Sequence, residues 1–381
     1  MIKNDIIICT SEYTTSKNFG GLAIFLKKFI KILKTEFNVH LITASDKSTI
    51  SNYKNLTIYH VNINFLFLKI IKFFSKNFFY LIQSFLLNNT INKIIKKNNK
   101  IKAVHFSNYQ NISFFYNNKI PVITRLSSLD TLWLKRKKIL IKNFFEKSSL
   151  TKSNIILSPS LFLIKELKRS YNLKSFYLPP IAETENLNIK KLKSKKKFIL
   201  TFGSISYGKG SKTIEKFIDA ILKLNTKFNY IWIGDTDKEF YKSNNEFQNI
   251  LKSKTNFSDR ILVLNKMKQS KLFQYIKKAE IIILPSIRDN SPNACLESLL
   301  LKKIVIARDN SGYNDLILDK FNGFLFKKND KNSNLLKVLS KALKLSKSQK
   351  KKLLRNIEKK NKIFHPNNVL NIYKNYLNKI N

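Results

Sequence analysis

Short apolar runs separated by polar loops are the main pattern along this chain. The clearest pair is 281–284 and 304–307, each an unbroken apolar run that is too short for a helix. Such runs predict strands that are buried on both faces, as in a parallel sheet. Between them, the polar loop 288–293 leads into a segment that has the pattern of a helix start. The order strand, loop, helix, strand predicts one βαβ unit.

The same alternation continues along the rest of the chain. After the first strand, the apolar residues of 22–33 fall on one helical face. We therefore predict an α/β fold with Rossmann-like sheets. The further apolar runs that predict strands are 6–9, 39–43, 103–106, 122–124, 155–160, 176–180, 198–202, 230–234 and 261–264.

A polar, lysine-rich stretch divides the chain near its middle. Residues 182–197 have the composition of a linker, and a new strand pattern starts at Phe198. The domains predicted from this division are 1–181 and 198–362, followed by a terminal helix in 363–381.

Glycine is scarce, so its positions are informative. Only eight glycines occur, and they lie at predicted strand ends or in tight loops. Gly20 and Gly21 precede the first helix. Gly203 opens a loop that contains Lys209 and leads into another helix. A strand, a glycine loop with one lysine and a helix N-terminus together predict a phosphate site.

Two acids, Asp289 and Glu297, flank the loop of the βαβ unit. The carboxylates can accept hydrogen bonds from sugar hydroxyls, and the helix N-terminus between them suits a phosphate. This stretch resembles the acidic motif of the family-4 type retaining glycosyltransferases (glycosyl transferases group 1), although the first acid there is usually Glu. The residues that match are Pro285, Ser286, Asp289, Glu297 and the run 305–307.

Two further stretches of the chain can be compared with the same family. The loop 203–210 resembles the phosphate loop of its second domain, with Lys209 at the family's lysine and Ser204 where an Arg is frequent. The family's sugar-facing His would fall near Ser127 and Ser128, where this chain has none.

The resemblance implies a GT-B fold, in which two Rossmann-like domains with parallel sheets face each other across a cleft and the last helix crosses back to the first domain. It also implies a retaining transfer of a sugar from a nucleotide diphosphate sugar to a glycan or lipid-linked acceptor in cell-surface polysaccharide synthesis. No cofactor and no metal are expected. On this resemblance Lys209 stabilises the diphosphate, Asp289 positions the sugar and Glu297 holds the ribose hydroxyls. The residues expected to bind the donor are Gly20, Gly21, Gly203, Lys209, Asn290, Ser291 and Glu297, with Asp289 and Lys209 as catalytic residues.

The charge balance is extreme, at +47 from 71 Lys and Arg against 24 Asp and Glu. Nucleic acid is not expected as a partner, because the lysines are spread along the chain and no nucleic-acid motif occurs. Base bias of the genome explains much of the excess. Lys69, Lys72 and Lys76 share one helix face beside a Phe-rich stretch, and 133–138 is a second basic cluster. They predict contact with an anionic membrane surface; the alternative is an ordinary helix packed on the sheet.

Location and function leave alternatives open. Only Cys9 and Cys295 occur, and the amino terminus leads straight into a strand, so we expect a cytoplasmic protein, peripheral on the inner face of the membrane. Besides the transferase, two other functions fit the sequence. One is a GT-B nucleotide-sugar epimerase, and the other is a non-catalytic protein that binds polyanions or membranes through a degraded site.

Overall fold

The computed structural model describes residues 3–14, 21–63, 75–132, 139–182, 196–224, 227–309, 312–327 and 334–380. The chain forms two compact units, Met1–Glu183 with Phe364–Asn381 and Thr184–Ile363. Each unit has helices around a largely parallel sheet. The predicted α/β class with two parallel-sheet domains is confirmed.

The first unit contains an eight-stranded sheet with the order β3-β4-β2-β1-β5-β6-β7-β8. Only the pairing of β3 with β4 is antiparallel among its described strands. The strands are β1 (Asp5–Thr10), β2 (Asn38–Ser45), β3 (Thr49–Tyr53), β4 (Leu56–Asn62), β5 (Ile101–Ser107), β6 (Val122–Arg125), β7 (Ile155–Ser158) and β8 (Phe176–Tyr177).

Helices cover both faces of this sheet, as alternate residues of β1 show. Ile6 and Ile8 pack into a core with the helix Gly21–Leu33, whereas Ile7 and Cys9 pack into a second core with the helix Lys76–Lys97. The helices of this unit are α1 (Gly21–Leu33), α2 (Lys76–Lys97), α3 (Ile139–Thr151) and α4 (Leu161–Tyr171).

The carboxyl-terminal helix also belongs to the first unit. Its residue Tyr373 makes an edge-to-face contact with Phe29 of α1, with ring centroids 5.0 Å apart. The backbone N–H of Ala182 donates to the carbonyl of Phe364 at 2.8 Å, so the chain leaves and re-enters this unit at one place.

The second unit contains a six-stranded parallel sheet with the order β11-β10-β9-β12-β13-β14. The central strands β9 and β12 are apolar and buried, which explains why continuous apolar runs predicted them. The strands are β9 (Lys197–Phe202), β10 (Phe228–Ile233), β11 (Ile261–Leu264), β12 (Ile281–Leu284), β13 (Ile304–Arg308) and β14 (Phe324–Phe326).

Helices connect these strands and complete the unit. Ser346 forms a capping box with Gln349, which starts the helix Lys347–Asn361. The helices, with the terminal helix of the first unit last, are α5 (Ser211–Lys223), α6 (Asn244–Lys252), α7 (Gln269–Lys278), α8 (Asn293–Leu300), α9 (Tyr313–Leu316), α10 (Asn334–Leu343), α11 (Lys347–Asn361) and α12 (Pro366–Leu377).

The structure adds elements that the sequence analysis does not predict, among them a hairpin in the first sheet. Strands β3 and β4 form a hairpin whose turn contains Asn55 at φ 59°, a conformation that Asn tolerates better than most residues. Of the predicted basic surface, Lys69, Lys72 and 133–138 lie outside the described residues, and Lys76 is described only as the first residue of α2.

Candidate functional site

Two loops meet at the carboxyl ends of the central strands β9 and β12 of the second unit. These strands are neighbours in the sheet, so both loops leave the same edge. The N–H of Ile287 donates to the carbonyl of Gly208 at 2.9 Å and ties one loop to the other. Open parallel sheets bind ligands at this kind of edge, so the arrangement identifies the candidate site.

Gly210 lets the first loop pass directly over the second. Its φ is +85°, and a Cβ at this position would lie 2.2 Å from the carbonyl oxygen of Pro285. Both the backbone conformation and the lack of space require glycine. Gly210 is also the N-cap of α5, so this contact fixes where the positive end of that helix lies.

The loops bring the two predicted catalytic residues together. The ammonium Nζ of Lys209 lies 2.6 Å from the carboxylate Oδ2 of Asp289. The side chain of Asp289 is 16% exposed and that of Lys209 is 40% exposed. The pair is therefore held at the edge of the unit, where the lysine remains accessible to a ligand.

The polar residues after Asp289 lie on the approach to α8. Asn290 is buried and Ser291 is half-buried, and α8 begins two residues later at Asn293 behind Pro292. The helix therefore presents its positive end beside the predicted donor-binding loop. Their assignment to the donor stays a prediction.

A buried tyrosine supports the start of this loop. The hydroxyl of Tyr313 donates to Ser286 Oγ at 3.0 Å. Burial and the negative charge of Asp289 raise the pKa of Tyr313 well above its usual value, so the phenol stays protonated and remains a donor. The same two causes raise the pKa of Cys295, which makes its thiol unreactive.

Glu297 lies on α8, and its carboxylate makes a contact that the sequence does not reveal. Gln269 Nε2, at the start of α7, donates to Glu297 Oε1 at 2.8 Å. Glu297 is half-buried, so its carboxylate is positioned by this amide while part of its surface faces solvent.

Gly203 directly follows β9 and begins the glycine loop. Its φ is +117°. Its carbonyl oxygen accepts a hydrogen bond from Trp232 Nε1 at 3.0 Å, and a Cβ at Gly234 would be 2.0 Å from the same oxygen. The backbone of Gly203 therefore connects the end of β9 to the end of β10 through these close contacts. Ser204, where the resembled family often has Arg, is exposed.

Arg308 is a candidate that the sequence analysis misses. It ends β13 and is buried, with Nε donating to the carbonyl of Pro285 at 3.2 Å and a terminal nitrogen donating to Thr213 Oγ1 at 2.6 Å. A guanidinium therefore joins the start of the second loop to α5 and adds positive charge near the first turn of that helix. An arginine at the end of a buried apolar run was the available signal.

In the first unit, the described site residues are those around the start of α1. Gly21 is the first residue of that helix and is exposed, while Gly20 lies outside the described residues. The guanidinium carbon of Arg125 lies 3.5 Å from the ring centroid of Phe25 on α1. Burial lowers the pKa of Arg125 to about 9, because the charged form loses hydration.

Metal ligands do not assemble in the part of the chain that the structure describes. Within those residues, no group of three or more His, Cys, Asp or Glu side chains could hold a metal ion. The expectation of metal-independent chemistry stays a prediction.

The sequence is similar to those of known glycosyltransferases. Residues 182–362 match the family model described as glycosyl transferases group 1. A protein of Methanocaldococcus jannaschii described as an uncharacterized glycosyltransferase is 28% identical over 327 residues, which is 84% of each chain.

Solved structures share the fold of the whole chain. Sucrose-phosphate synthase from Thermosynechococcus elongatus superposes with a TM-score of 0.74 at 13% identity, covering 98% of both chains. A structure described as trehalose-6-phosphate from E. coli bound with UDP-2-fluoro glucose gives a TM-score of 0.71 at 12% identity, again over 98% of both chains. The chain is therefore a glycosyltransferase with the GT-B fold, and its residues 182–362 match the glycosyl transferases group 1 family.

Proposed function

We propose that the protein transfers a sugar, with retention of the anomeric configuration, from a nucleotide diphosphate sugar to a glycan or lipid-linked acceptor in cell-surface polysaccharide synthesis. The observation that carries the proposal is the 2.6 Å contact between Lys209 and Asp289. It places a cation and a carboxylate side by side where two loops leave neighbouring parallel strands.

The cation meets the main chemical requirement of this reaction, which is to stabilise the leaving group. The leaving group is a nucleoside diphosphate, and negative charge grows on it as the glycosidic bond breaks. Lys209, the buried Arg308 and the positive end of α5 all supply positive potential to this side of the loop. Preorganised groups of this kind lower a barrier by roughly 3–4 kcal/mol each.

The carboxylates meet the second requirement, which is to orient the nucleotide sugar. Asp289 accepts hydrogen bonds from the hydroxyls of the donor sugar, and Glu297 accepts them from the ribose. Charge-assisted hydrogen bonds are about twice as strong as neutral ones, which suits them to fixing a polyhydroxylated ligand. A structural neighbour is described as bound with UDP-2-fluoro glucose, so UDP-sugars are the first donors to test.

The proposed location is the cytoplasmic face of a membrane. Among the described residues, no helix is long and apolar enough to cross a bilayer. A line of neighbouring rings, the aromatic ridge, lies on the surface of the first unit; its members are Phe85, Phe115, Phe114, Phe145 and Phe144, with successive centroids 5.9, 5.1, 5.1 and 5.6 Å apart.

The aromatic ridge supports peripheral binding through its exposure. Phe144 is 62% exposed, Phe85 50% and Phe115 41%. Exposed apolar surface of this kind marks an interaction site, and in a chain with a net charge of +47 an anionic membrane complements it.

A panel of nucleotide sugars tests the proposed function. Thermal unfolding is measured with UDP-, GDP-, ADP- and TDP-sugars, and saturation at 100 times the dissociation constant should stabilise the protein by about 2.7 kcal/mol. A stabilising donor is then incubated with glycan and lipid-linked acceptors. A glycoside product with the donor's anomeric configuration supports the proposal. An epimerised donor without acceptor-dependent product, or no stabilisation by any donor, contradicts it.

A further inference from the structure

A cavity of about 300 Å³ lies at the amino ends of four neighbouring strands of the second unit, β10, β9, β12 and β13. Residues of α10 and α11 complete its lining. Because the strands are parallel, this edge of the sheet is opposite to the one that carries the loops of Lys209 and Asp289. Strand β9 extends over six residues, so roughly 15–20 Å of strand separate the two edges.

The part of this cavity that faces the sheet is apolar. Phe228, Ile281 and Ile304 are the first residues of β10, β12 and β13, and all three are buried. Ala342 and Leu343, at the end of α10, add apolar surface. A cavity of about this size is at the lower end of those that hold small organic molecules. An apolar group that enters it would displace water from these side chains, which is favourable.

Lysines adjoin this apolar lining. Lys197 begins β9, Lys227 directly precedes β10, and Lys350 lies near the start of α11. Among the described residues of the lining, Glu280 supplies the only carboxylate, and its Oε1 lies 3.6 Å from Nζ of Lys350. Three lysines against one glutamate leave an excess of positive charge beside the apolar surface.

A further lysine adds to this positive charge. Lys303 directly precedes Ile304, and its Nζ donates to the carbonyl oxygen of Lys277 at 3.2 Å. Burial lowers the pKa of Lys303; the charge of Glu280 opposes this effect, and the charge of Lys350 adds to it. An anion bound near these two ammonium groups would therefore stabilise their charged forms.

The end of α10 contributes an opposing potential. Leu343 is the last residue of that helix and lines the cavity, and the carboxyl end of a helix is negative. This potential is equivalent to about half an elementary charge and falls off within one turn. The lysines outweigh it, so the cavity combines an apolar surface along the strands with a net positive charge at its lysines.

We propose that this cavity is a second ligand site, which binds a small organic anion with an apolar body, such as the phosphate or carboxylate of an aryl or alkyl group. The apolar body packs against Phe228, Ile281 and Ile304, and the anionic group lies among the lysines. This binding does not depend on the proposed transfer reaction, because the site is at the other edge of the sheet.

Isothermal titration calorimetry with the full chain tests the binding at about 0.15 M salt, which screens the general charge of the chain. The probes are phenyl phosphate, hexyl phosphate, benzoate and hexanoate, compared with benzyl alcohol, hexanol and inorganic phosphate. At least one organic anion should bind about tenfold more tightly than inorganic phosphate and than the alcohol with the same body. If no organic anion binds, or if inorganic phosphate or the alcohol binds equally well, the proposal is wrong.

Lys209→Ala distinguishes this site from the phosphate loop. The variant should keep the full affinity for the organic anion, whereas a probe held by the phosphate loop would lose affinity. Such a loss would overturn the proposal. The measurement uses neither donor nor acceptor, so its failure leaves the proposed transferase intact. Failure of the transferase assays would likewise leave this site intact.

Lys350→Gln tests the role of the lysines. Loss of the charge should lower the affinity for the organic anion about tenfold, because a charge-assisted contact is lost. The matched control is Lys351→Gln, which changes the net charge equally at an exposed position of α11 outside the lining. Neighbouring positions of a helix face different directions, so the control should bind as the parent does. Equal affinities of the two variants would contradict the proposed site.

Leu343→Phe tests whether the apolar body occupies the cavity. The larger ring fills space that the parent leaves open, so the unfolding temperature should not fall, while the affinity for the organic anion should fall about tenfold with the lost apolar contact. The matched control is Leu224→Phe, which makes the same change at the end of α5, outside the lining. Parental affinity in Leu343→Phe would show that the probe binds elsewhere and would overturn the proposal.

Discussion

The backbone N–H of Gly312 donates a 2.7 Å hydrogen bond to the carbonyl oxygen of Asp289. The glycine lies so close to this loop that a Cβ on it would be 2.5 Å from the carbonyl oxygen of Asn290 and 2.9 Å from that of Asp289. The loop that carries the candidate catalytic acid Asp289 therefore packs directly against the backbone of Gly312.

Gly312→Ala should therefore impair donor binding through the loop. Its φ of −66° suits alanine, so the whole effect comes from the contact. Overpacking of this kind costs about 1–3 kcal/mol, and the loop has to move to relieve it. We expect donor affinity, measured by thermal unfolding with a nucleotide sugar, to fall at least about tenfold. At Gly208 an added Cβ meets nothing within 4 Å, so Gly208→Ala should keep the unfolding free energy of the parent. Full donor affinity in Gly312→Ala would show that the position of Asp289 does not matter.

Lys209→Ala should remove most of the activity without unfolding the protein. The ammonium is part-exposed, so its loss disturbs little packing, but the diphosphate loses a preorganised charge. We expect kcat/KM to fall by about 10²–10³-fold. The control is Lys212→Ala, which removes a nearby lysine that pairs with Glu215 at 2.9 Å. Near-parental turnover of Lys209→Ala at saturating donor would refute its assignment.

Glu297→Ala should also abolish most activity, because the ribose loses its carboxylate partner. The structure supplies a sharper comparison, since Gln269 donates to the same carboxylate. Gln269→Ala removes the hydrogen bond but keeps the acid, so steady-state kinetics should show only a small loss. If the two variants are equally impaired, Glu297 serves to connect α7 and α8 and does not hold the donor.

His105 should make the protein less stable in acid. It is fully buried between Phe29 and Tyr373, and within the described part of the chain neither ring nitrogen has a hydrogen-bond partner. Burial, with the nearby charge of Arg125, lowers the pKa of His105 from 6.5 to about 3. The unfolded chain therefore binds a proton that the folded one refuses. The contribution of neutral His105 to the free energy of unfolding is complete above pH 6.5. It is lost as the pH falls toward 3, by up to about 1.4 kcal/mol per pH unit.

Urea unfolding at pH 4, 5, 6 and 7 measures this effect, with His105→Phe as the comparison. Phenylalanine can keep the ring contacts but cannot titrate, so the variant should lose less stability on acidification. Burial raises the pKa of Glu146 from 4.5 to about 7. Between those two pH values Glu146 stabilises the folded protein more as the pH falls, which is opposite in sign to the effect of His105. That contribution is common to both proteins and cancels in their difference. Equal pH slopes would show that His105 does not titrate as described.

Much of the fold could be predicted from local patterns, because the apolar pattern of a single segment indicates whether that segment is buried. The run 281–284 is β12 without change, and β13 differs from its predicted run only by including Arg308. The β3–β4 hairpin was missed because β3 is largely exposed and β4 is mostly half-buried, so neither strand contains an unbroken apolar run.

The candidate site was predicted in its parts but not in its contacts. Lys209 and Asp289 are 80 positions apart, so their ion pair depends on how β9 and β12 pair. The role of Gly312 and the hydrogen bonds of Arg308 likewise come from loops that only the sheet brings together. Residue types indicate chemistry, whereas contacts between distant segments require the tertiary structure.

Membrane binding is predicted from the basic and Phe-rich residues of the first unit. The hypothesis is that the first unit docks on an anionic leaflet through the Phe-rich stretch with Lys69, Lys72 and Lys76, together with the basic cluster 133–138. Each lysine near such a surface contributes about 1 kcal/mol, and the attraction decays over ~8 Å at physiological salt. Three charges therefore suffice for salt-sensitive binding, which co-sedimentation with vesicles of anionic lipid measures.

The test has to separate a local surface from the overall charge. Reversing Lys69, Lys72 and Lys76 to Glu should weaken vesicle binding far more than reversing Lys191, Lys193 and Lys195, since both triple variants change the net charge equally. Phe85→Ser with Phe144→Ser should weaken it as well, because the aromatic ridge loses its two most exposed rings. The control for that pair is Phe240→Ser with Phe321→Ser, which are exposed phenylalanines of the other unit. Equal losses in both lysine triples would mean that bulk charge alone drives binding, and the docking surface would have to be abandoned.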